Sequence, residues 1–351
     1  MLACKPNAEA YSGMRMDLQR KMLGRTGLGL SILGFGGTGL GNMYTAMSES
    51  EAIVTLDAAY AAGLRYFDTA PLYGHGLSEL RLGSGLRRFA GPDLVVSTKV
   101  GWRLRPTLGG ASDAGLFQNI TAFSRFNDYS YDGVMRSFED SLNRLGAERV
   151  DILLIHDVDR RNQGERLPEV FRMAMTGAYK ALLSLREQGL VKAIGCGLNE
   201  WEACQQFAEA GDFDCFLLAG RYTLLEQESL KSFLPLCERR GIGIILGGPY
   251  NSGILASGAV KGAWFDYAPA GAAVLSKVAG IDGVCRHHGV PLKAAALQFP
   301  LHHPCVASVI PGTRSPDELA ENLNMLRVPI PSEFWRDLRS RSLLDGAAPT
   351  P

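Results

Sequence analysis

Short apolar runs alternate with amphipathic stretches from residue 30 to the end of this chain. Repeated strand-helix-strand alternation builds a parallel sheet covered by helices, because each helix carries the chain back to start the next strand in the same direction. The spacing predicts strands at about 30–36, 65–68, 94–99, 150–155, 191–196, 214–218, 242–246 and 306–310. Eight strands suffice to close a (β/α)8 TIM barrel, which is the expected α/β fold. A small hairpin around 23–31 is expected before the barrel and an extra helix near 332–341 after it.

The helices carry their own start and stop signals. Ser48 with Glu51 makes a capping box, Ile53, Leu56 and Tyr60 share a face, and Gly63 is placed to terminate the helix. Ser130 or Asp132 opens a helix with Val134, Phe138 and Leu142 on one face, and Gly146 closes it. Later helices are predicted at 171–188, 200–209, 226–239, 272–288 and 316–326. With no linker or further repeat, residues 1–351 are expected to form one barrel domain with an N-terminal extension over 1–20.

Charge and cysteine content narrow the function classes. Lys plus Arg and Asp plus Glu both total 36, so nothing points to nucleic acid or an anionic membrane surface. A small-molecule partner is expected, and the oligomeric state is left open. Seven cysteines form no CxxC pair, which fits free thiols in a reducing compartment. No apolar run approaches the ~18 residues of a membrane span, and the N-terminus has no signal-like apolar core. The cytoplasm is the expected location.

Two long loops interrupt the alternation, and loops of that length in a compact barrel are commonly functional. Residues 101–130 contain Trp102, Phe117, Phe123 and Phe126, which are able to wall a pocket, although the GGASDAG portion has the composition of a surface excursion. Residues 247–255, GGPYNSGIL, have the small side chains that let backbone approach a ligand.

Active sites of such barrels lie where the strands end, so polar strand-end residues are catalytic candidates. Asp68, Lys99 and His156 end three predicted strands, and Tyr73 lies on the loop after the first of them. A phenol is a poor base near neutral pH until a cation stabilises its phenolate. Lys99 is placed to be that cation, Asp68 to orient it and His156 to fix the oxygen that gains or loses the proton. Taken singly, each has an ordinary role: a turn cap, a half-buried aromatic, an edge charge, a satisfied core histidine. Their joint placement favours chemistry, of the kind that interconverts alcohols and carbonyls.

The His-His pairs at 287–288 and 302–303 flank helical segments rather than strand ends, so no metal site is expected. After the last strand, Ser315 and Glu318 read as a capping box with Pro316 at the first helical position. The helix N-terminus behind Gly312, Thr313 and Arg314 is therefore expected to bind phosphate.

These residues resemble the aldo-keto reductase superfamily. The resemblance covers about Leu23 to Leu326 and rests on FDTAPLYG, the lysine of STKVG, the histidine of LLIHD and the IPGTR loop. It implies that Asp68, Tyr73, Lys99 and His156 form a catalytic tetrad with Tyr73 as proton donor or acceptor. It also implies that Tyr222 stacks on a nicotinamide, that Asn199 holds its carboxamide, and that Gly312, Thr313, Arg314, Glu318 and Asn322 hold the adenosine end. Two departures stand out: GCGLN at 195–199 where relatives carry Ser-Asn, and Ala219 where they carry glutamine. The wider phrasing is similar to an oxidising branch that includes threo-aldose (L-fucose), L-galactose and pyridoxal dehydrogenases, generally using NAD. The implied activity is oxidation of an aldose hemiacetal to a lactone with NAD, NADP being the alternative cofactor. The same residues fit a pyridoxal 4-dehydrogenase or an NADPH-dependent reductase of small aldehydes. Outside enzymes they fit a channel-associated, redox-sensing β subunit.

Overall fold

Eight parallel strands form the barrel in the computed structural model, which describes residues 15–89, 93–108 and 113–351. They are Phe35–Gly36 (β1), Tyr66–Asp68 (β2), Val95–Val100 (β3), Ile152–His156 (β4), Ala193–Leu198 (β5), Cys215–Ala219 (β6), Gly243–Gly247 (β7) and Val306–Ile310 (β8). Each pairs with its neighbour in the sequence. Parallel bridges from Leu33 to Val309 and from Gly36 to Gly312 join the first strand to the last. All but β1 lie within two residues of the predicted spans. β1 is short because Gly29–Ser31 pairs antiparallel with Arg20–Met22, in register Arg20 opposite Ser31. That is the expected hairpin, and its Leu23, Leu28 and Leu30 plug the barrel interior.

Strand alternation sets what faces inward. Tyr66, Val95, Ile152, Leu154, Ala193, Cys215, Leu217, Ile245, Ala307 and Ile310 fill the inside together with the hairpin leucines. The opposite faces, including Phe67, Val96, Leu153, Ile155, Ile194, Phe216 and Ile244, pack against the helices. A polar group left unpaired in such a dry column costs about 2–7 kcal/mol. Polar inward residues are accordingly paired or gathered at the mouth, on the same strand faces as the apolar filling: Asp68 two residues after Tyr66, Lys99 four after Val95, His156 two after Leu154.

The helices follow their caps. Ser48 Oγ accepts from Glu51 N–H at 3.2 Å and the Glu51 carboxylate returns to Ser48 N–H at 2.6 Å, opening the helix Glu49–Ala61. Gly146, in the left-handed conformation at φ 58°, ends Tyr131–Leu145. The predicted helix at 171–188 starts earlier, at Leu167, and is broken by a π-turn over Ala174–Ala178. Ala272–His288 and Pro316–Arg327 form as expected, and the extra helix is Ser332–Ser340.

Several elements were hidden in the sequence. Leu77–Leu86 is a helix, and its Gly83 lies so close to the helix Tyr131–Leu145 that a Cβ there would meet the Leu145 carbonyl oxygen at 2.3 Å. The segment read as a long loop holds an antiparallel hairpin, Trp102–Pro106 with Phe123–Asn127. Residues 109–112, part of the expected surface excursion, lie outside the described residues. Among the described residues the six cysteines are free and no helix is long and apolar enough to cross a membrane. Cys4 and most of the 1–20 extension fall outside them.

Candidate active site

The registers bring the three strand ends together. Asp68 pairs across to Ser97, Lys99 to Leu154 and His156 to Gly197, so β2, β3, β4 and β5 present successive inward positions at one end. Lys99 Nζ donates to Asp68 Oδ2 at 2.7 Å and to the Thr69 carbonyl at 2.8 Å. Ser97 Oγ donates to Asp68 Oδ1 at 2.6 Å and exchanges a hydrogen bond with Tyr66 Oη at 2.9 Å. One carboxylate oxygen thus holds the ammonium while Ser97 fixes the other. Gly197 makes room for it: a Cβ there would stand 3.2 Å from Lys99 Cε.

Tyr73 and His156 complete the cluster. The Lys99 ammonium lies 4.6 Å from the centroid of the Tyr73 ring, and the Tyr73 and His156 rings meet edge-on at 5.9 Å. Among the described residues no hydrogen bond joins Lys99 to the phenol oxygen, which leaves the third ammonium proton for that oxygen or a bound ligand. Burial, then the carboxylates of Asp68 and Asp157, push the Tyr73 phenol well above its ordinary value, so the resting side chain is a neutral proton donor. Burial and the Lys99 charge push His156 well below its usual value, so the imidazole is neutral as well. Its Nδ1 has no partner and its Nε2 has only Asp157 Oδ1 at 3.5 Å, so an imidazole hydrogen bond remains for a bound oxygen.

A cleft of about 460 Å³ runs from Asp68 and Tyr73 across the strand ends to Arg314, Glu318 and Asn322. Its floor is Leu217, Ala219 and Gly247, the inward ends of β6 and β7, and the loop from Gly248 to Gly253 forms one side, as its composition suggested. A second hairpin, Trp264–Phe265 with Ala268–Pro269, reaches the cleft with Asp266 and Tyr267 at its tip, both left-handed at φ 51° and 61°. Arg161 at 2.9 Å and Arg221 at 2.7 Å clamp Asp266, tying that tip to the loops after β4 and β6.

The structure separates the expected cofactor residues. Gly312, Arg314, Glu318 and Asn322 line the cleft, whereas Thr313 is buried beside it. Tyr222 does not line it: its ring is fully buried against Phe299 and His303, at 5.1 and 5.3 Å. Asn199 is likewise absent from the lining, and its side chain accepts from Tyr267 Oη at 3.3 Å. The capping box expected behind this loop forms only in part. Ser315 Oγ caps Glu318 N–H at 3.1 Å, but the Glu318 carboxylate turns to the Arg314 backbone N–H and guanidinium, both at 2.9 Å. The carboxylate thus holds the residue before the cap instead of closing the box onto Ser315 N–H. Glu238, His303 and Cys305 group together, and none of them lines this cleft. His303 Nδ1 accepts from Cys305 N–H at 3.2 Å, which places the ring proton on Nε2, facing Glu238 at 3.5 Å, and leaves that nitrogen no lone pair for a metal.

Sequence reasoning missed Ser97, Thr69 and Asp157. Ser97 was detectable by alternation, being two residues before Lys99 on the same strand face. Of the four loop aromatics, Trp102 donates its indole N–H to Asp157 at 2.8 Å and Phe117 packs 6.1 Å from Tyr73, while Phe126 carries Arg103 and Arg105 over its ring.

The aldo/keto reductase family model matches residues 32–342 of this chain. The chain is 42% identical over 339 residues to pyridoxal 4-dehydrogenase from Microbacterium luteolum, spanning 93% of this chain and 98% of that protein. It is 37% identical to D-threo-aldose 1-dehydrogenase from a Pseudomonas species, over 93% and 97% of the two chains. Among solved structures, a holo-form aldo-keto reductase from Bacillus halodurans superposes with a TM-score of 0.71 at 21% identity, covering 94% of this chain and 98% of that one, a likeness of fold.

Proposed function

The chain belongs to the aldo/keto reductase family and is an oxidoreductase; from that premise we propose that it oxidises a cyclic hemiacetal to a lactone with NAD. The observation that carries the proposal is the convergence of Lys99 and His156 on Asp68 and Tyr73, which line one end of a cleft whose far end offers Arg314, Glu318 and Asn322. The relatives' substrates, aldoses and pyridoxal, share the cyclic hemiacetal form, in which one carbon bears both the hydroxyl and the hydrogen that leave on oxidation.

The cleft suits a dinucleotide. At Gly247 a side chain would crowd Leu217, a Cβ standing 3.1 Å from Leu217 Cδ2, so the floor is flat where a planar ring is to rest. The nicotinamide, when bound there, supplies the hydride acceptor. The chain's own residues handle the proton: Tyr73 Oη takes it from the hemiacetal hydroxyl, and neutral His156 fixes that oxygen. Lys99, immobilised by Asp68 and Thr69, stabilises the phenolate that oxidation requires.

Because the resting phenol is held high, its base form accumulates only as pH rises. Turnover in the oxidising direction is expected to climb between about pH 7 and 10, while reduction, which uses the protonated phenol, does not. Rate profiles in both directions check this, and a flat or falling oxidation limb contradicts it.

The adenosine end supports NAD. Arg314 is paired with Glu318 and Lys293 with Glu321, so each cation lining that end is already neutralised and the carboxylates repel a 2′-phosphate. Catalytic efficiency with NAD is expected to exceed that with NADP by roughly 10- to 100-fold, and Glu318→Gln to narrow the gap about tenfold. A wild-type preference for NADP contradicts this assignment.

A panel of L-fucose, D-arabinose, L-galactose and pyridoxal against both cofactors, with lactone detected directly, tests the whole reading. Failure to reduce NAD or NADP with any of them overturns it.

A further inference from the structure

Asp157 follows His156 and takes no part in the steps above, yet it is held in place at some conformational cost. Its φ of 58° lies in the left-handed region, which residues with a side chain rarely adopt. Both its backbone groups are tied: the N–H donates to the Gly197 carbonyl at 3.2 Å and its carbonyl accepts from Gln163 Nε2 at 2.7 Å. The Trp102 indole N–H grips Oδ2 at 2.8 Å. Among the described residues Oδ1 takes no hydrogen bond, and it faces His156 Nε2 at 3.5 Å. The carboxylate is buried, 5% exposed. A buried carboxylate with an unfilled acceptor oxygen beside the imidazole that orients the substrate is placed for a second donor on that substrate.

We propose that Asp157 is a specificity-determining residue that accepts a hydrogen bond from the hydroxyl on the carbon next to the hemiacetal carbon, selecting 2-hydroxy aldoses as the substrate class. This rests on the hemiacetal reading and deepens it. An oxygen held at His156 Nε2 would bring the neighbouring oxygen of a vicinal pair toward Oδ1, 3.5 Å from that nitrogen, a separation comparable to that of oxygens on adjacent carbons. An alcohol donates to a carboxylate; an anionic oxygen, such as the ring oxide of pyridoxal, is repelled by it.

The charges around Asp157 set when it is able to accept. Burial, then the negative charge of Asp159, push its carboxyl up to about 7, opposed by the Trp102 hydrogen bond and the charges of Lys99 and Arg125. His156 beside it is held neutral, and the phenols of Tyr73, Tyr129 and Tyr267 stay protonated in the same range. Above about pH 7 the group is the acceptor carboxylate; below, it carries a proton and the interaction weakens.

The test compares D-arabinose with its 2-deoxy form and with pyridoxal, in the wild type and Asp157→Asn. Loss of a charge-assisted hydrogen bond is expected to raise the KM for D-arabinose roughly 10- to 100-fold with kcat changed less. The 2-deoxy sugar is expected to be a poor substrate of both proteins, changing less than about threefold between them. The wild-type KM for D-arabinose rises as pH falls through about 7, and Asp157→Asn removes that dependence. Trp102→Phe, which leaves Asp157 in place but removes its indole donor, moves the same limb to higher pH and supplies the answer if Asp157→Asn does not fold. Equal effects on the two sugars, or a limb unmoved in Trp102→Phe, overturn the inference. So does a wild type that oxidises pyridoxal but no 2-hydroxy aldose, an outcome that leaves the hemiacetal reading standing. Loss of all hemiacetal oxidation by the wild type is instead the failure of that reading.

Discussion

Tyr73→Phe lowers turnover of the best substrate by roughly 10²- to 10⁴-fold, the range lost when a positioned acid-base group is removed. The ring remains, so its packing at 6.1 Å from Phe117 and 5.9 Å from His156 survives and the fold is expected to keep its stability. Dinucleotide affinity is expected to change little, because the cleft beyond Asp68 and Tyr73 is built from β6, β7 and the Gly248–Gly253 loop. The informative comparison is kcat against the cofactor dissociation constant: a large fall in the first with the second unmoved. A variant with near-wild-type turnover removes Tyr73 from the chemistry.

Lys99→Met has the second large effect, and it appears in two observables. Lys99 and Asp68 are 1% and 2% exposed, so removing the cation strands a carboxylate in the barrel mouth. Breaking a buried pair from one side costs about 3–5 kcal/mol, and the melting temperature should fall accordingly. Turnover should fall too, since nothing else among the described residues brings an ammonium to the Tyr73 ring. Adding Asp68→Asn to Lys99→Met removes the stranded charge, so the double variant is expected to recover most of the stability and none of the turnover. Recovery of both would mean that the pair is structural only.

How much of this was legible in the sequence follows from which signals are local. The eight strands were, because apolar runs of that length bounded by turns have few alternatives. Asp68, Lys99 and His156 were, because strand-end position follows directly from strand assignment. The helix Leu77–Leu86 was masked by its own glycines: Gly83 and Gly85 weaken helix propensity locally, and the reason for Gly83, contact with the Leu145 carbonyl, lies 62 residues on. The hairpin over Trp102–Asn127 escaped because its strands pair across a long connection and both are only half-buried, so alternation is faint.

The cofactor end shows the limit of reading by motif. Tyr222 follows β6 at a plausible spacing, but the chain turns it outward against Phe299 and His303. Ser315 and Glu318 have capping-box spacing, yet Glu318 spends its carboxylate on Arg314, a choice set by a neighbouring guanidinium rather than by spacing. Asp157 was visible as the residue after His156, but its position depends on a left-handed backbone and on an indole from another element. Neither is encoded in a local pattern.

The central claim is that one proton-handling cluster oxidises a hemiacetal carbon beside a bound dinucleotide. Its most direct test supplies the best substrate of the panel with deuterium on the hemiacetal carbon and follows the label by NMR. One deuterium delivered to the reduced nicotinamide for each lactone formed is the predicted result. Label released to water, or product formed without reduction of the cofactor, would contradict it.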